Sequence, residues 1–329
     1  LTAREGPAWL IDTSYEAGHV VLRLLSEDLV PFRFIIPDFQ PYYLTSDLDR
    51  GELVEKEDLF TSNKRRLAKV NHEGRVSKNI QAWEADIDPA LSCIYDKRLR
   101  FGLLHDFRNN VWVPRTSLEG ETLSRFQNLL KVDEKDHLKY GLLKEIYSSV
   151  TQPIPKVAFD TLGLPDGSVE EYYNAFLLSR IANLPLSRTY RSHRVSEWVR
   201  SMLHTYYRTH GILIPTPEEL KLGDMRKFVA GALTIAPESG AYFNMQVLDF
   251  ESLYPGCIDV FNLSYETVRC PHEECQENKV PGLDYHVCTK RRGIYSALVG
   301  ALRDLRIRVY KPTAKQPVQN EKASIDAAA

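Results

Sequence analysis

The residues best suited to do chemistry lie in one stretch, VLDFESLYPGCIDVFNLSYETV, at 247–268. An apolar run ends in an acid, Asp249. A Ser-Leu-Tyr-Pro-Gly turn follows, and then a helix-like apolar run. Asp249 and Glu251 are two apart, so on an extended strand they face the same side. Metal-assisted phosphoryl transfer needs at least two carboxylates around its ions. The plainer alternative is that Asp249 caps the turn before the helix.

A second group follows. CPHEECQENKVPGLDYHVC offers Cys270, His272, Cys275, His286 and Cys288. Four of these five could make a tetrahedral zinc site, although Cys-x4-Cys-x12-Cys is not the usual pair of Cys-x-x-Cys turns. Free thiols in a loop are the rival reading. Cys93 and Cys257 read as small buried residues.

The third group is basic. Between 188 and 210, Arg188, Arg191, Arg194, Arg200 and Arg208 interleave with Tyr190, Trp198, Tyr206 and Tyr207. Arg188, Arg191 and Arg194 are three apart, so one helix would carry them as a ridge able to track a phosphate backbone. The alternative is an amphipathic helix with Trp198, Met202 and Leu203 inward and the arginines in water. Residues 290–311 hold seven Lys/Arg against one acid, Asp304, whereas residues 1–60 hold 12 acids against 5 bases. A net charge of −2 thus hides a basic stretch able to meet a polyanion.

The elements that must position these groups are mixed α/β. Residues 8–46 read as strands, 61–79 as an exposed loop or hairpin, and NVWVPRT as a short strand. SLEGETLSRFQNLLKV and DEKDHLKYGLLKEIYSSV have helical spacing. PIPKVAFD reads as a buried strand ending at Asp160. A helix should start at Ser168, with Glu171 completing a capping box, break near Pro185, and stop at Gly211. KFVAGALTIAPESGAYFNMQVLDF reads as two strand-like runs around Pro-Glu-Ser-Gly. The apolar share of 43% and charged share of 26% argue against disorder. No apolar run is long enough to span a membrane, and the first residues do not read as a signal peptide, so a cytoplasmic location is expected.

LDFESLYPGCIDVFNLSYETV resembles the first palm motif of family B DNA polymerases, whose core is Asp-x-x-Ser-Leu-Tyr-Pro-Ser; the archaeal members are the most similar. KFVAGALTIAPESGAYFNMQV resembles the segment before that motif, and CTKRRGIYSALVGALRDLRIRVYK the entry into the fingers helix. RTYRSHRVSEWVRSMLHTYYRTHGILIP is similar to the helix leading into the palm. FQPYYLTSD and AWEADID resemble parts of the amino-terminal domain. The resemblance implies an incomplete right-hand architecture, mixed α/β and multidomain. Its parts are a β-rich amino-terminal domain (1–120), helices with a remnant of the exonuclease entry (121–167), a helical linker (168–222), a partial palm with the Cys/His insert (223–289), and the start of the fingers (290–329).

It also implies roles. Asp249 matches a metal-binding aspartate, one ligand of a two-Mg²⁺ site, with the Phe250 carbonyl beside it. Leu253 lies along an incoming deoxynucleoside triphosphate, and Tyr254 stacks under its sugar. Arg306 meets the phosphates as a guanidinium fork can. Primer-template DNA is the partner, with Arg188, Arg191 and Arg194 on it. Pro41, Tyr42 and Trp83 fall near a template-base pocket. A disulfide joining Cys288 to Cys275 or Cys270 becomes a further alternative to zinc. A sliding clamp and a nucleoid-associated location also follow from the likeness.

Departures are as informative. Gly256 stands where the motif has serine, and Asp160 is followed by Thr161-Leu162 where the exonuclease strand has Asp-Ile-Glu. No Tyr-Gly-Asp-Thr-Asp motif and no Lys-x-x-x-Asn-Ser-x-Tyr-Gly motif occurs. The expectation is a fragment, one subunit of a split enzyme completed by a second polypeptide, or a degenerate relative, inactive by itself. The alternative is a non-catalytic DNA-binding or scaffold protein of the same descent.

Overall fold

The computed structural model describes residues 6–314, except 38, 72–79, 117–119, 131–134, 156–157, 164–166, 192–193, 222–234, 237 and 283. The amino-terminal part is antiparallel. Strands β1 (Ala8–Glu16), β2 (His19–Ser26) and β3 (Pro31–Ile36) form a meander. β4 (Tyr42–Thr45), β5 (Glu52–Glu57), β6 (Lys64–Asn71) and β7 (Ala82–Trp83) follow, with β5 and β6 paired as a hairpin. Helix α1 (Pro89–Asp96) precedes β8 (Leu104–Arg108) and β9 (Val111–Pro114). One sheet runs β3-β2-β1-β8-β9, the other β5-β6-β4-β7. Leu10, Val20, Leu22 and Leu24 of β1 and β2 share a core with Leu91, Ile94 and Tyr95 of α1. Trp112 closes an aromatic cluster with Phe32, Phe34 and Phe107.

Helices α2 (Gly120–Leu130), α3 (His137–Val150), α4 (Ala158–Leu162), α5 (Val169–Ala182), α6 (Leu186–Arg191) and α7 (Val195–Thr209) come next. The Ser168–Glu171 capping box is present, Asn183 ends α5 in the left-handed region, and Gly211 follows α7 at φ 70°. The last helices among the described residues are α8 (Leu253–Val260), α9 (Ile294–Leu305) and α10 (Lys311–Ala314). A π-helical turn, Arg306–Tyr310, joins the last two.

Two expected strands are absent among the described residues. Ala158 N–H donates to Pro155 O as a helical turn begins, so Asp160 lies exposed on α4 and ends no strand. Residues 241–250 form neither strand nor helix and are exposed throughout; Val247 and Leu248 are each 90% exposed. A strand persists only where a neighbour accepts its backbone bonds. Among the described residues, no strand lies beside 241–250. The other run of that pair, before 235, falls largely outside the described residues.

Two buried arginines tie the later helices to the segments before them. Arg180 of α5 donates to the carbonyls of Gly102 (2.8 Å), Gln152 (2.6 Å) and Pro153 (2.7 Å). Burial pushes the pKa of its guanidinium down to about 9. Gly102, at φ 71°, is needed because a Cβ there would run into that side chain. Arg208 of α7 pairs with Glu84 at 2.8 Å and with Asp96, and donates to the Tyr42 hydroxyl. Arg208 therefore does not stand in water: its side chain is buried, unlike the solvent-facing arginine that the amphipathic pattern suggests.

Candidate functional site

Ser252 adopts φ 54°, a left-handed turn immediately before α8, and its hydroxyl makes no helix cap. The hydroxyl instead accepts a hydrogen bond from Arg306 at 3.1 Å. Lys311 pairs with Glu251, and this contact holds the Glu251 carboxyl below its ordinary range. Arg303 lies against Gly256, where a Cβ would sit 3.6 Å from its Nε. Three cations of the α9–α10 rod thus surround the loop at the start of α8. Its amino-terminal amides add partial positive charge at the same place. A π turn beside this contact agrees with the tendency of such turns to occur at functional sites.

Asp249, Phe250, Leu253 and Tyr254 are all exposed around this loop, with Phe250 at 76% and Tyr254 at 78%. Among the described residues nothing bonds the Asp249 carboxylate. Glu251, two residues on, is paired with Lys311, so the two carboxylates have different surroundings. Sequence reasoning selects Arg306 but misses Arg303 and Lys311. Arg303 and Arg306 are three apart and share a helix face, a legible signal. The Lys311 contact spans 60 residues and is not legible.

The floor under α8 is an ion network that sequence reasoning also misses. Buried Asp259 accepts from Lys139 of α3 at 2.6 Å and is paired with Arg292; the Arg292 guanidinium also reaches the Asp259 carbonyl at 2.8 Å and Asp136 at 2.9 Å. Lys139 meets Asp304 of α9 at 2.8 Å. Gly300 makes room for this, because a Cβ there would overlap the Asp259 carboxylate. The network fixes α8 to α3 and α9, and so fixes where Ser252 meets Arg306.

After α8, three buried cysteines and one histidine converge. The donor atoms of Cys270, His272, Cys275 and Cys288 all lie within 4.8 Å of one another, so the group could hold a metal ion. Cys288 Sγ is 3.4 Å from His272 Nδ1. His286, the fifth candidate, is turned away: its Nε2 bonds the Cys270 carbonyl at 2.9 Å. All five cysteines are free, so neither disulfide pairing is formed, and Cys257 is half-buried where full burial was expected.

The arginine ridge is broken. Arg188 and Arg191 sit on α6, which ends at Arg191, whereas Arg194 is the extended N-cap of α7. Arg188 is paired with Glu197 at 2.7 Å. The three-residue spacing carried the prediction of one continuous helix, and the division into two helices removes the common face. In the amino-terminal part, Pro41 and Tyr42 line a cavity of about 430 Å³ together with Tyr15, Ile87 and Asp88. Trp83 does not reach it. Its ring is buried under Arg65, and its Nε1 donates to Glu219 at 2.9 Å.

The part of the chain that carries the motif loop, α8 and α9 is similar to one family of polymerases. Residues 184–311 match the family model "DNA polymerase family B". The chain is a relative of the archaeal enzymes. It is 36% identical over 161 residues to DNA polymerase 1 of Saccharolobus solfataricus, a match covering 45% of this chain and 18% of that protein. It is 36% identical over 150 residues to DNA polymerase 1 of Aeropyrum pernix, covering 42% and 15%. The family B DNA polymerase from the hyperthermophilic archaeon Pyrobaculum calidifontis shares the fold, with TM-score 0.60 and 15% identity over 98% of this chain and 66% of that one. The chain therefore spans less than a fifth of the length of these two curated relatives. Among the described residues, no helix is long and apolar enough to cross a membrane.

Proposed function

We propose that this chain is the nucleotide-receiving part of a family B DNA polymerase whose template-directed synthesis needs further palm and fingers segments. The observation that carries this is the convergence of Arg306, Arg303 and Lys311 on the loop that opens α8. That basic collar suits a triphosphate. Arg306 releases Ser252 and takes phosphate oxygens through its fork, while the α8 amides accept the same charge. Tyr254 offers its exposed ring to the sugar, and Leu253 lies along the phosphates. The Asp249 carboxylate and the Phe250 carbonyl are hard oxygen donors of the kind Mg²⁺ takes. When bound, that metal supplies charge neutralisation and a more acidic primer hydroxyl. One free carboxylate is half of such a ligand set, so the chain alone should bind nucleotide without joining it to a primer.

Primer-template DNA is the partner this reading implies. The uncovered Val247 and Leu248 favour a sheet completed by other residues, in further chain or in a second polypeptide. Pro41 and Tyr42 in the amino-terminal cavity suit an unstacked template base; Trp83 plays no direct part in it. The test is a pair of measurements on the purified chain. Mg²⁺-dependent binding of a fluorescent deoxynucleoside triphosphate should weaken about tenfold or more in Arg306→Ala, the effect of losing a charged hydrogen bond of ~1.5–3 kcal/mol. Primer extension should give no product. Absence of nucleotide binding, with salt-sensitive DNA binding retained, would instead support a non-catalytic DNA-binding scaffold.

A further inference from the structure

We propose that Cys270, His272, Cys275 and Cys288 hold one zinc ion, which staples the segment between α8 and α9 and so sets the seam with the amino-terminal domain. Four donors converge within 4.8 Å. In a tetrahedral site with Zn–S of ~2.3 Å and Zn–N of ~2.0–2.1 Å, neighbouring donors are about 3.5–3.8 Å apart. The 3.4 Å between Cys288 Sγ and His272 Nδ1 is close to such an edge. Three sulfurs and an imidazole are a soft set that suits zinc and disfavours magnesium or calcium. Four protein donors leave no open position, which is the mark of a structural site.

The surroundings favour thiolates. Thr289 N–H donates to Cys275 Sγ at 3.4 Å, and the Thr289 hydroxyl lies 3.5 Å from the same sulfur. Amides and hydroxyls aimed at a ligand sulfur stabilise its charge and fix its direction. His286 braces the Cys270 carbonyl and stays outside the donor set. A disulfide would use two of the three sulfurs and leave a thiol and an imidazole packed against it without a role.

The segment also has little else to fold around. Between Arg269 and Thr289, the buried residues among those described are Cys270, Cys275, Val287 and Cys288. Its strand pairing among the described residues amounts to the isolated bridges Val268–Val287 and Lys279–His286. A stretch this poor in apolar burial needs a cross-link, and metal binding then acts as folding energy. Its output lies three residues beyond Cys288. Arg291 donates to the carbonyls of Leu59 (2.9 Å), Phe60 (2.6 Å) and Glu266 (2.7 Å), and to Ser62 Oγ (2.9 Å). The metal thus sets the reach of Arg291 onto the amino-terminal domain, whether or not the chain handles nucleotides.

The test is elemental analysis of the purified, reduced chain. One zinc per chain is expected. Cys275→Ser should lower it at least tenfold, while His286→Gln and Cys257→Ser should keep it. Should Cys275→Ser fail to fold, cobalt substitution of the wild type decides: thiolate-to-cobalt charge transfer with tetrahedral d–d bands is expected. Chelation should open new proteolytic cuts within 273–285. The proposal is overturned by a zinc-free native chain whose cluster thiols react freely, by a disulfide between any two of these cysteines, or by loss of zinc in His286→Gln.

Discussion

Asp249 lies just before α8 and Asp259, ten residues on, lies near the end of that helix, and their surroundings are opposite. Asp259 is buried and held by Lys139 and Arg292, with the glycine face of α9 pressed against it. Asp249 is exposed, with its neighbours Val247, Leu248 and Phe250 standing in solvent. The first builds the platform on which the loop is presented. The second is presented, together with apolar residues that have nothing to pack on. Charge is tolerated in the interior because every partner is met at once, whereas the exposed carboxylate stays free because no cation among its described neighbours engages it.

The sharpest way to break this contrast is to delete each carboxylate. Asp259→Ala leaves Lys139 and Arg292 short of a buried partner and should cost about 3–5 kcal/mol in urea unfolding. Asp249→Ala should leave the midpoint where it was. Equal losses would mean that the two residues are not opposites.

Acid extends the contrast to a buried group that carries no charge. Burial holds His105 neutral and pushes its pKa down to about 4, while its Nε2 accepts from Arg100 N–H at 3.2 Å. A depressed histidine contributes stability that is fully present above its ordinary 6.5. That stability is lost as the unfolded chain takes up a proton between pH 6.5 and about 4, a loss on the order of 3 kcal/mol. Unfolding midpoints should fall across that window, and His105→Asn should flatten the slope by one proton. A slope unchanged in that variant would remove His105 from the account.

Gly300→Ala should destabilise by about 1–3 kcal/mol, because the added carbon has nowhere to go. Combined with Asp259→Ala, it should cost less than the sum, since the two share one contact. Full additivity would show that Gly300 serves something other than the carboxylate. Ser168→Ala should cost about 1 kcal/mol in thermal or urea unfolding by unmaking the capping box, a local effect far from either aspartate. The smallest effect is Leu248→Ser, on the exposed side of the contrast. Thermal stability should stay level, and only self-association, followed by analytical ultracentrifugation, should fall.

Much of the architecture was legible in the sequence. The early strands, the capping box at Ser168, the break after α5 and the stop at Gly211 follow from local rules of periodicity and capping. The loop was legible too, since its residue types and order resemble those of a known motif. The misses have three causes. PIPKVAFD and QVLDF have strand-like composition, but a strand is a property of a pair, and no partner lies beside either among the described residues. The arginines at 188, 191 and 194 have helical spacing, but α6 ends at the second and α7 begins beyond the third. His286 has the chemistry of a ligand and the geometry of a brace.

The sequence by itself determined the local elements, the motif residues around Asp249 and Tyr254, and the presence of five candidate zinc donors. Those follow from side-chain chemistry and from spacing along one chain. Only the tertiary structure decided that Arg303, Arg306 and Lys311 close a basic collar on the loop that holds Glu251 and Ser252. It alone decided that four donors converge while a fifth turns away, and that Asp259 is locked between α3 and α9. These are meetings of residues far apart in sequence, fixed when burial forces every charge and every backbone group to find its partner.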